Sequence, residues 1–272
     1  VELESKAAVA VDPAFLVKAA DGKPLVHRPS GSVRDFHVLD GSNPAAMKLA
    51  TDAIASLHAA GFRFFKLDFL YAGALPGGRS DPAATGTDAL RAGLALLRET
   101  AGPDSILNAC GAPIVPVLGL TDSLRVGSDT AFDGAALNWP TVAFAGRSHA
   151  ARAFLAPLAW PDADQAQLRP PYTEEEALAG AAVAALAGPA YSLGDDLTTL
   201  DPARLALGLS PDLLDIAGAA APAVPLDFFE APAEQLVVSP IIDAIQAGAA
   251  GTLAPPPSPV RPTRSVTTSP PS

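Results

Sequence analysis

The sequence predicts an α/β fold of the (β/α)8 TIM-barrel type, in an incomplete form, from three observations. Short apolar segments with strand character alternate with longer helical patterns along the chain. Polar residues follow these strands directly, at the sheet edge where a barrel builds its active site. The glycine-rich phosphate loop of a doubly wound sheet is not found, since Gly77 and Gly78 lie within a long connection and lack the P-loop lysine. The barrel is therefore favoured over an open sheet.

The N-terminal part of the chain contains two predicted helices and one predicted strand. Asp12-Pro13 and Asn43-Pro44 each place a polar capping residue before a proline, which is typical of a helix start. Residues 33–39 form a strand candidate between them. Apolar residues recur at helical spacing in the second helix: Met47, Ala50, Ile54 and Leu57.

The segment GFRFFKLDFL, residues 61–70, is the central strand of the prediction. An apolar run of this length, rich in Phe, is typical of a strand buried on both faces of a parallel sheet. Lys66 and Asp68 lie two residues apart, so on a strand they point to the same side. The ammonium group lowers the cost of burying the carboxylate and keeps it ionised, which suits a structural ion pair or a nucleophile equally well.

The pattern of strand, polar strand end, loop and helix repeats after this segment. A long loop, residues 73–86, leads to a helix that Gly102-Pro103 ends, and residues 173–176 form a capping box that opens an alanine-rich helix. Asp201-Pro202 caps one more helix. The further strand candidates are residues 106–109, 120–126, 154–160 and 190–193.

Composition excludes several classes of function. The net charge of −11, without a basic patch, argues against nucleic acid and anionic membranes as partners. Cys110 is the only cysteine, which rules out an internal disulfide and a cysteine-based zinc site. His27, His37, His58 and His149 lack metal-ligand spacing, so a histidine-based metal site is not expected. No signal peptide or apolar run of about 18 residues is found, so we expect a cytoplasmic protein.

Two aspartates at separate strand ends are what retaining glycoside hydrolysis requires, namely an ionised nucleophile and an acid/base. Asp68, with its lysine neighbour, fits the nucleophile. Asp129 follows another predicted strand and would have to be protonated at the first step. On residue types alone, both can equally be structural carboxylates.

Three motifs resemble the α-galactosidases of glycoside hydrolase family 36, in the melibiase clan. They are Lys66-Leu67-Asp68-Phe69, Cys110-Gly111-Ala112-Pro113 and the segment RVGSDT at residues 125–130, in that order. Weaker similarities extend the resemblance over roughly residues 5–210. Each motif is short, but their joint order and spacing make chance agreement improbable.

The resemblance implies a retaining α-galactosidase barrel with Asp68 as nucleophile and Asp129 as acid/base. It also implies that Lys66, Cys110 and Arg125 contact the sugar. The implied substrate is an α-galactoside or oligosaccharide, hydrolysed by double displacement without a cofactor, and the full-length protein can form an oligomer.

Simpler interpretations of several residues stay open. Cys110 is equally a small buried hydrophobic residue, and Arg125 equally an ion-pair residue. Trp139 and Trp160 suit stacking on a sugar ring or core packing. Capping or loop structure explains a further group of acidic residues as well as substrate contact does: Asp162, Asp164, Asp195 and Asp196.

The resemblance also predicts how much of a barrel this chain contains. Residues 1–210 match about the last five strand–helix units of a barrel, residues 211–252 the start of a C-terminal segment, and residues 253–272 a disordered tail rich in Pro, Ser and Thr. The first three strands have no counterpart, so we expect this chain alone to be inactive or to aggregate. Alternative hypotheses are an inactive or carbohydrate-binding remnant, a related α-glycosidase or transglycosylase with another sugar specificity, and a metal-dependent barrel hydrolase.

Overall fold

The computed structural model of the protein describes Leu3 and residues 10–29, 34–131, 137–219 and 223–225. Its centre is a parallel sheet of four strands in the order β3-β4-β5-β6. Each strand pairs with the next one along the chain, as successive βα units require. The strands are β3 (Phe64–Leu67), β4 (Ile106–Ala109), β5 (Ser123–Arg125) and β6 (Trp160–Asp162).

A short antiparallel hairpin precedes this sheet. It consists of β1 (Val26–His27) and β2 (Phe36–His37), with His27 directly opposite Phe36. The strand predicted at residues 33–39 is therefore confirmed in part, since β2 is shorter and pairs outside the parallel sheet. Residues 30–33 lie outside the described residues.

Helices connect the strands, and their caps follow the sequence signals. Asn43 accepts hydrogen bonds from the backbone at the start of the helix Pro44–Ala59, and Thr173 forms the expected capping box of the helix Glu174–Ala187. Within the described residues, no helix is long and apolar enough to cross a bilayer. The helices are α1 (Pro44–Ala59), α2 (Gly86–Ala101), α3 (Ile114–Val117), α4 (Trp139–Arg152), α5 (Glu174–Ala187), α6 (Pro202–Gly208) and α7 (Pro211–Gly218). Shorter 3-10 helices span Pro13–Phe15, Leu70–Ala74 and Ala153–Leu155.

Two hydrophobic clusters form the core. One lies between the sheet and helices α1 and α2, and the alanine-rich helix α5 is at the centre of the other. Leu213 and Ala217 of α7 belong to the second cluster, so the packed unit continues past residue 210, at least to Gly218. Nearly all of residues 220–272 lie outside the described part of the chain.

The central strand differs from the prediction in its burial. Phe62 and Phe64 are 58% and 49% exposed, so the prediction of burial on both faces is wrong. Within the described residues β3 pairs only with β4, which makes it an edge strand with one uncovered face. An apolar run alone does not reveal which of its neighbours are present.

Two other predicted strands are wrong or much reduced. Residues 154–160 begin in a 3-10 helix that continues α4, with Phe154 73% exposed, and the strand starts only at Trp160. Residues 190–193 reduce to one parallel bridge between Leu193 and Ala166. The described residues thus form four parallel strands and a bridge, rather than five full strand–helix units or a closed barrel.

The stability of this fold should depend on His149, which is buried in α4. Burial lowers the pKa of His149 from 6.5 to about 4, against a smaller opposing effect of the Ala223 backbone. The unfolded chain therefore binds a proton first, and stability falls as the pH drops from about 6.5 to about 4. We expect a loss of about 2 kcal/mol at pH 5 relative to pH 7.5, measured by urea unfolding.

The control for this prediction is the His149→Gln variant. Its free energy of unfolding should change less between pH 7.5 and pH 5 than that of the wild type, because glutamine does not titrate. Equal pH dependence in the two proteins would show that His149 does not cause the loss.

Candidate active site

The predicted site residues lie at the carboxyl ends of three adjacent strands. The pairing register places Leu67 opposite Ala109, and Ala109 opposite Leu124. The next residue of each strand therefore lies at the same sheet edge. These residues are Asp68, Cys110 and Arg125. They are 42 and 15 positions apart in the sequence, and the sheet brings them side by side.

Cys110 is the residue that connects this cluster. Its side chain is buried, and its thiol shares a hydrogen bond with the Asp68 carboxylate. Burial raises the pKa of the thiol to about 12, and Asp68 adds to this rise, while the positive charges of Arg125 and Lys66 oppose it. Three predicted site residues, Asp68, Arg125 and Lys66, are therefore close enough to act electrostatically on the fourth, Cys110. The interpretation of Cys110 as only a small hydrophobic residue is incomplete, because its thiol bonds to a predicted catalytic group.

Asp68 itself is exposed at the end of β3. Its Oδ1 accepts a hydrogen bond of 2.7 Å from the backbone N–H of Phe69. Lys66 is also exposed, and no ion pair joins it to Asp68 in the described part of the chain. The structural ion-pair interpretation of these two residues is therefore wrong, because a solvated carboxylate needs no cation to offset its burial.

Arg125 binds three carboxylates, although its side chain is only 4% exposed. Its Nη1 donates to Asp129 Oδ1 at 2.7 Å, its Nε lies 3.6 Å from Asp162 Oδ2, and its Nη2 bonds to Asp164 Oδ1. Burial acts to lower the pKa of Arg125, but the charges of Asp162 and Asp164 outweigh it and raise the pKa. The guanidinium therefore stays charged in the protein interior.

A hydrogen-bonded layer below Arg125 holds its partners in place. Asn108 Nδ2 donates to Asp162 Oδ2 at 2.9 Å, and the Asp164 N–H donates to Asp162 Oδ1 at 2.8 Å. Asp164 has a positive φ of 76°, which aims its carboxylate at the backbone N–H of Thr130, 2.7 Å away. Since Thr130 follows Asp129, this layer fixes the loop that carries the predicted acid/base.

Asn108 is a site residue that the sequence analysis missed. The signal was present, because a polar Asn stands inside the apolar strand Ile106–Ala109. Asp162 and Asp164 both pair with Arg125, so the structure gives each of them a partner other than a helix cap.

The other residues whose roles the sequence left undecided, two aspartates and two tryptophans, make contacts within the fold. Asp195 pairs with Arg169 at 2.6 Å, and Asp196 accepts a hydrogen bond of 3.0 Å from the Thr198 backbone. Trp160 is the first residue of β6, so it lies toward the amino ends of the strands, away from the site. Trp139 packs against the second core cluster. Among the described residues, no group of three or more His, Cys, Asp or Glu side chains is arranged to hold a metal ion.

Comparison with known proteins shows which solved structures this chain resembles. No protein-family model matches the chain. Among solved structures, the GH27 β-L-arabinopyranosidase Abp of Geobacillus stearothermophilus matches 75% of this chain and 47% of its own, with a TM-score of 0.54 and 16% identity. At this identity the likeness concerns the fold alone.

A more particular similarity is to the α-galactosidase TtGalA of Thermus thermophilus. Its complex with stachyose matches 77% of this chain at 30% identity, with a TM-score of 0.61. Its complex with p-nitrophenyl α-D-galactopyranoside gives the same identity and a TM-score of 0.62. The chain spans 47% and 44% of these two structures, less than half of the enzyme it resembles.

The thiol of Cys110 should be chemically inert in the folded protein. With a pKa of about 12, about one thiol in ten thousand is ionised at pH 8, and only the thiolate reacts. We expect iodoacetamide to modify the native chain about a thousandfold more slowly than the chain in urea. Mass spectrometry gives a direct measurement, because the chain has no second cysteine. Comparable rates in the two states would contradict the buried, hydrogen-bonded thiol.

Removing the guanidinium should destabilise the protein strongly. The Arg125→Met substitution leaves Asp162 and Asp164 buried without a cation, which costs roughly 3–5 kcal/mol.

Arg63→Met is the matched control, since its ion pair with Asp104 is exposed and contributes less than about 1 kcal/mol. Both variants are compared with the wild type by urea unfolding. A loss at Arg125 no larger than that at Arg63 would rule out the network described here.

Proposed function

We propose that this chain carries the catalytic centre of a retaining α-galactosidase of glycoside hydrolase family 36, in the melibiase clan, on a TIM-barrel scaffold. The observation that supports the proposal is the connected set Asp68, Cys110, Arg125 and Asp129 at the strand ends. The 30% identity to an α-galactosidase supports the choice of sugar. The substrate is a terminal α-galactoside.

In this mechanism Asp68 is the nucleophile. One carboxylate oxygen attacks the anomeric carbon and forms a glycosyl ester, while the bond to the leaving oxygen breaks. The thiol of Cys110 and the backbone N–H of Phe69 bond to the carboxylate and orient it. Lys66 presents an exposed ammonium group two residues before Asp68, where it can donate hydrogen bonds to sugar hydroxyls.

Asp129 is the acid/base in the same mechanism. It gives a proton to the leaving oxygen, and it later takes one from the water that attacks the glycosyl ester. Its carboxylate pairs with Arg125, a cation that Asp162 and Asp164 also contact.

Covalent labelling of the nucleophile tests this proposal. A galactose-configured epoxide should modify the purified chain at Asp68, and mass spectrometry of the digested protein locates the ester. The Asp68→Asn variant should not be labelled, because an amide is a poor nucleophile. Asp52→Asn is the control, since Asp52 is an exposed residue that pairs with Lys48 on α1.

Turnover of p-nitrophenyl α-galactoside distinguishes the enzyme from the inactive or carbohydrate-binding remnant. Turnover that Asp68→Asn abolishes would overturn the expectation that this chain alone is inactive. Labelling without turnover would support the remnant of such an enzyme. Labelling at another residue, or none, would contradict the assignment of Asp68.

A further inference from the structure

We propose that the hairpin formed by β1 and β2 positions the nucleophile, by holding the turn after Asp68 in a left-handed backbone conformation. The inference rests on the proposed function, because it gives a purpose to the orientation of the Asp68 carboxylate. It assigns a role to His27 and Phe36, which precede the catalytic motifs in sequence and do not belong to them.

The turn contains an unfavourable residue conformation at Phe69. Its φ of 54° and ψ of 31° lie in the left-handed region, which a bulky side chain rarely adopts. Such strain persists where the surrounding structure enforces it, and it is concentrated at functional sites. In this conformation the Phe69 N–H donates to Asp68 Oδ1 at 2.7 Å. The residue in the left-handed conformation is therefore also the hydrogen-bond donor that orients the carboxylate.

The end of β4 holds the turn from one side. The carbonyl oxygens of Cys110 and Gly111 accept hydrogen bonds of 3.3 and 2.7 Å from the backbone N–H groups of Leu70 and Tyr71. Gly111 packs closely, since a Cβ atom at that position would lie 3.4 Å from the Phe69 backbone. These contacts fix the position of the turn, but they leave the Phe69 and Tyr71 side chains to other partners.

The hairpin supplies those partners. His27 and Phe36 are directly opposite each other in the β1–β2 ladder, so their side chains share one face. The rings of Phe36 and Phe69 lie 5.5 Å apart between centroids, and His27 Nε2 lies 2.8 Å from the Tyr71 hydroxyl oxygen. Each aromatic residue of the turn thus contacts one residue of the hairpin.

The contact between Phe36 and Phe69 is strong enough to offset the strain at Phe69. An aromatic pair with this spacing stabilises by an amount comparable to the cost of a bulky left-handed residue. Phe36 is accordingly a positioning residue, since it acts on Asp68 through Phe69 and does not touch the reacting atoms. Loss of the contact should allow the turn to relax and the carboxylate to rotate.

A matched pair of variants tests whether the turn is strained. Phe69→Gly and Phe69→Ala both remove the ring, but only glycine accepts a positive φ without cost. We expect the glycine variant to melt about 2–4 °C above the alanine variant. At an unstrained position the order would reverse, because glycine gains more entropy on unfolding. An alanine variant that melts as high as the glycine variant would therefore overturn the inference.

The rate of Asp68 labelling tests the link to the nucleophile. In this reaction the carboxylate forms a bond to the anomeric carbon, the epoxide C–O bond breaks, and the acid/base protonates the released oxygen. Phe36→Ala and Phe69→Ala should slow labelling about tenfold to a hundredfold through misplacement of the carboxylate. Phe69→Gly should be less affected, and Phe36→Tyr, which keeps a ring, should restore the rate. Phe154→Ala, an exposed phenylalanine on a 3-10 helix, is the control.

The outcomes separate the two proposals. Equal labelling rates in the wild type, Phe36→Ala and both Phe69 variants would overturn the positioning role and leave the proposed function intact. A wild-type chain that is not labelled at all contradicts the proposed function. In that case the melting comparison still decides whether the turn at Phe69 is strained.

Discussion

The buried charge of Arg125 is the interaction on which the site depends. Placing a guanidinium in the interior costs several kcal/mol unless anions and hydrogen bonds compensate it. The compensation comes from Asp162, the last residue of β6, and from Asp164 just after it, and Asn108 on β4 holds Asp162 in turn. The ends of three strands are thereby joined by one network. Four residues that lie far apart in sequence acquire fixed positions from a single electrostatic requirement.

The same network supplies a chemical asymmetry between the two proposed catalytic carboxylates. Asp68 is oriented by neutral donors, namely a thiol and a backbone N–H. Asp129 instead lies against a cation whose charge is already shared by two buried aspartates. The two carboxylates therefore differ in the kind of partner that holds each of them.

Local chemistry explains why much of the fold could be predicted from the sequence. The caps Asn43 and Thr173 act within a few residues, so their signals are complete in the sequence. The burial of β3 could not be predicted, because exposure of Phe64 depends on which strands lie beside it. The site was predicted as a set of strand-end residues. The ion pair between Arg125 and Asp164 was not predicted, because these residues are 39 positions apart and no periodic sequence pattern indicates such a contact.

The buried thiol of Cys110 has a consequence for the redox chemistry of the protein. Oxidants attack the thiolate, and a thiol with a pKa of about 12 is almost entirely protonated at neutral pH. The side chain that orients Asp68 is therefore protected from conversion to sulfenic acid by its own environment. A cluster built on this cysteine is therefore less sensitive to oxidants than one built on an exposed, ionised thiol would be.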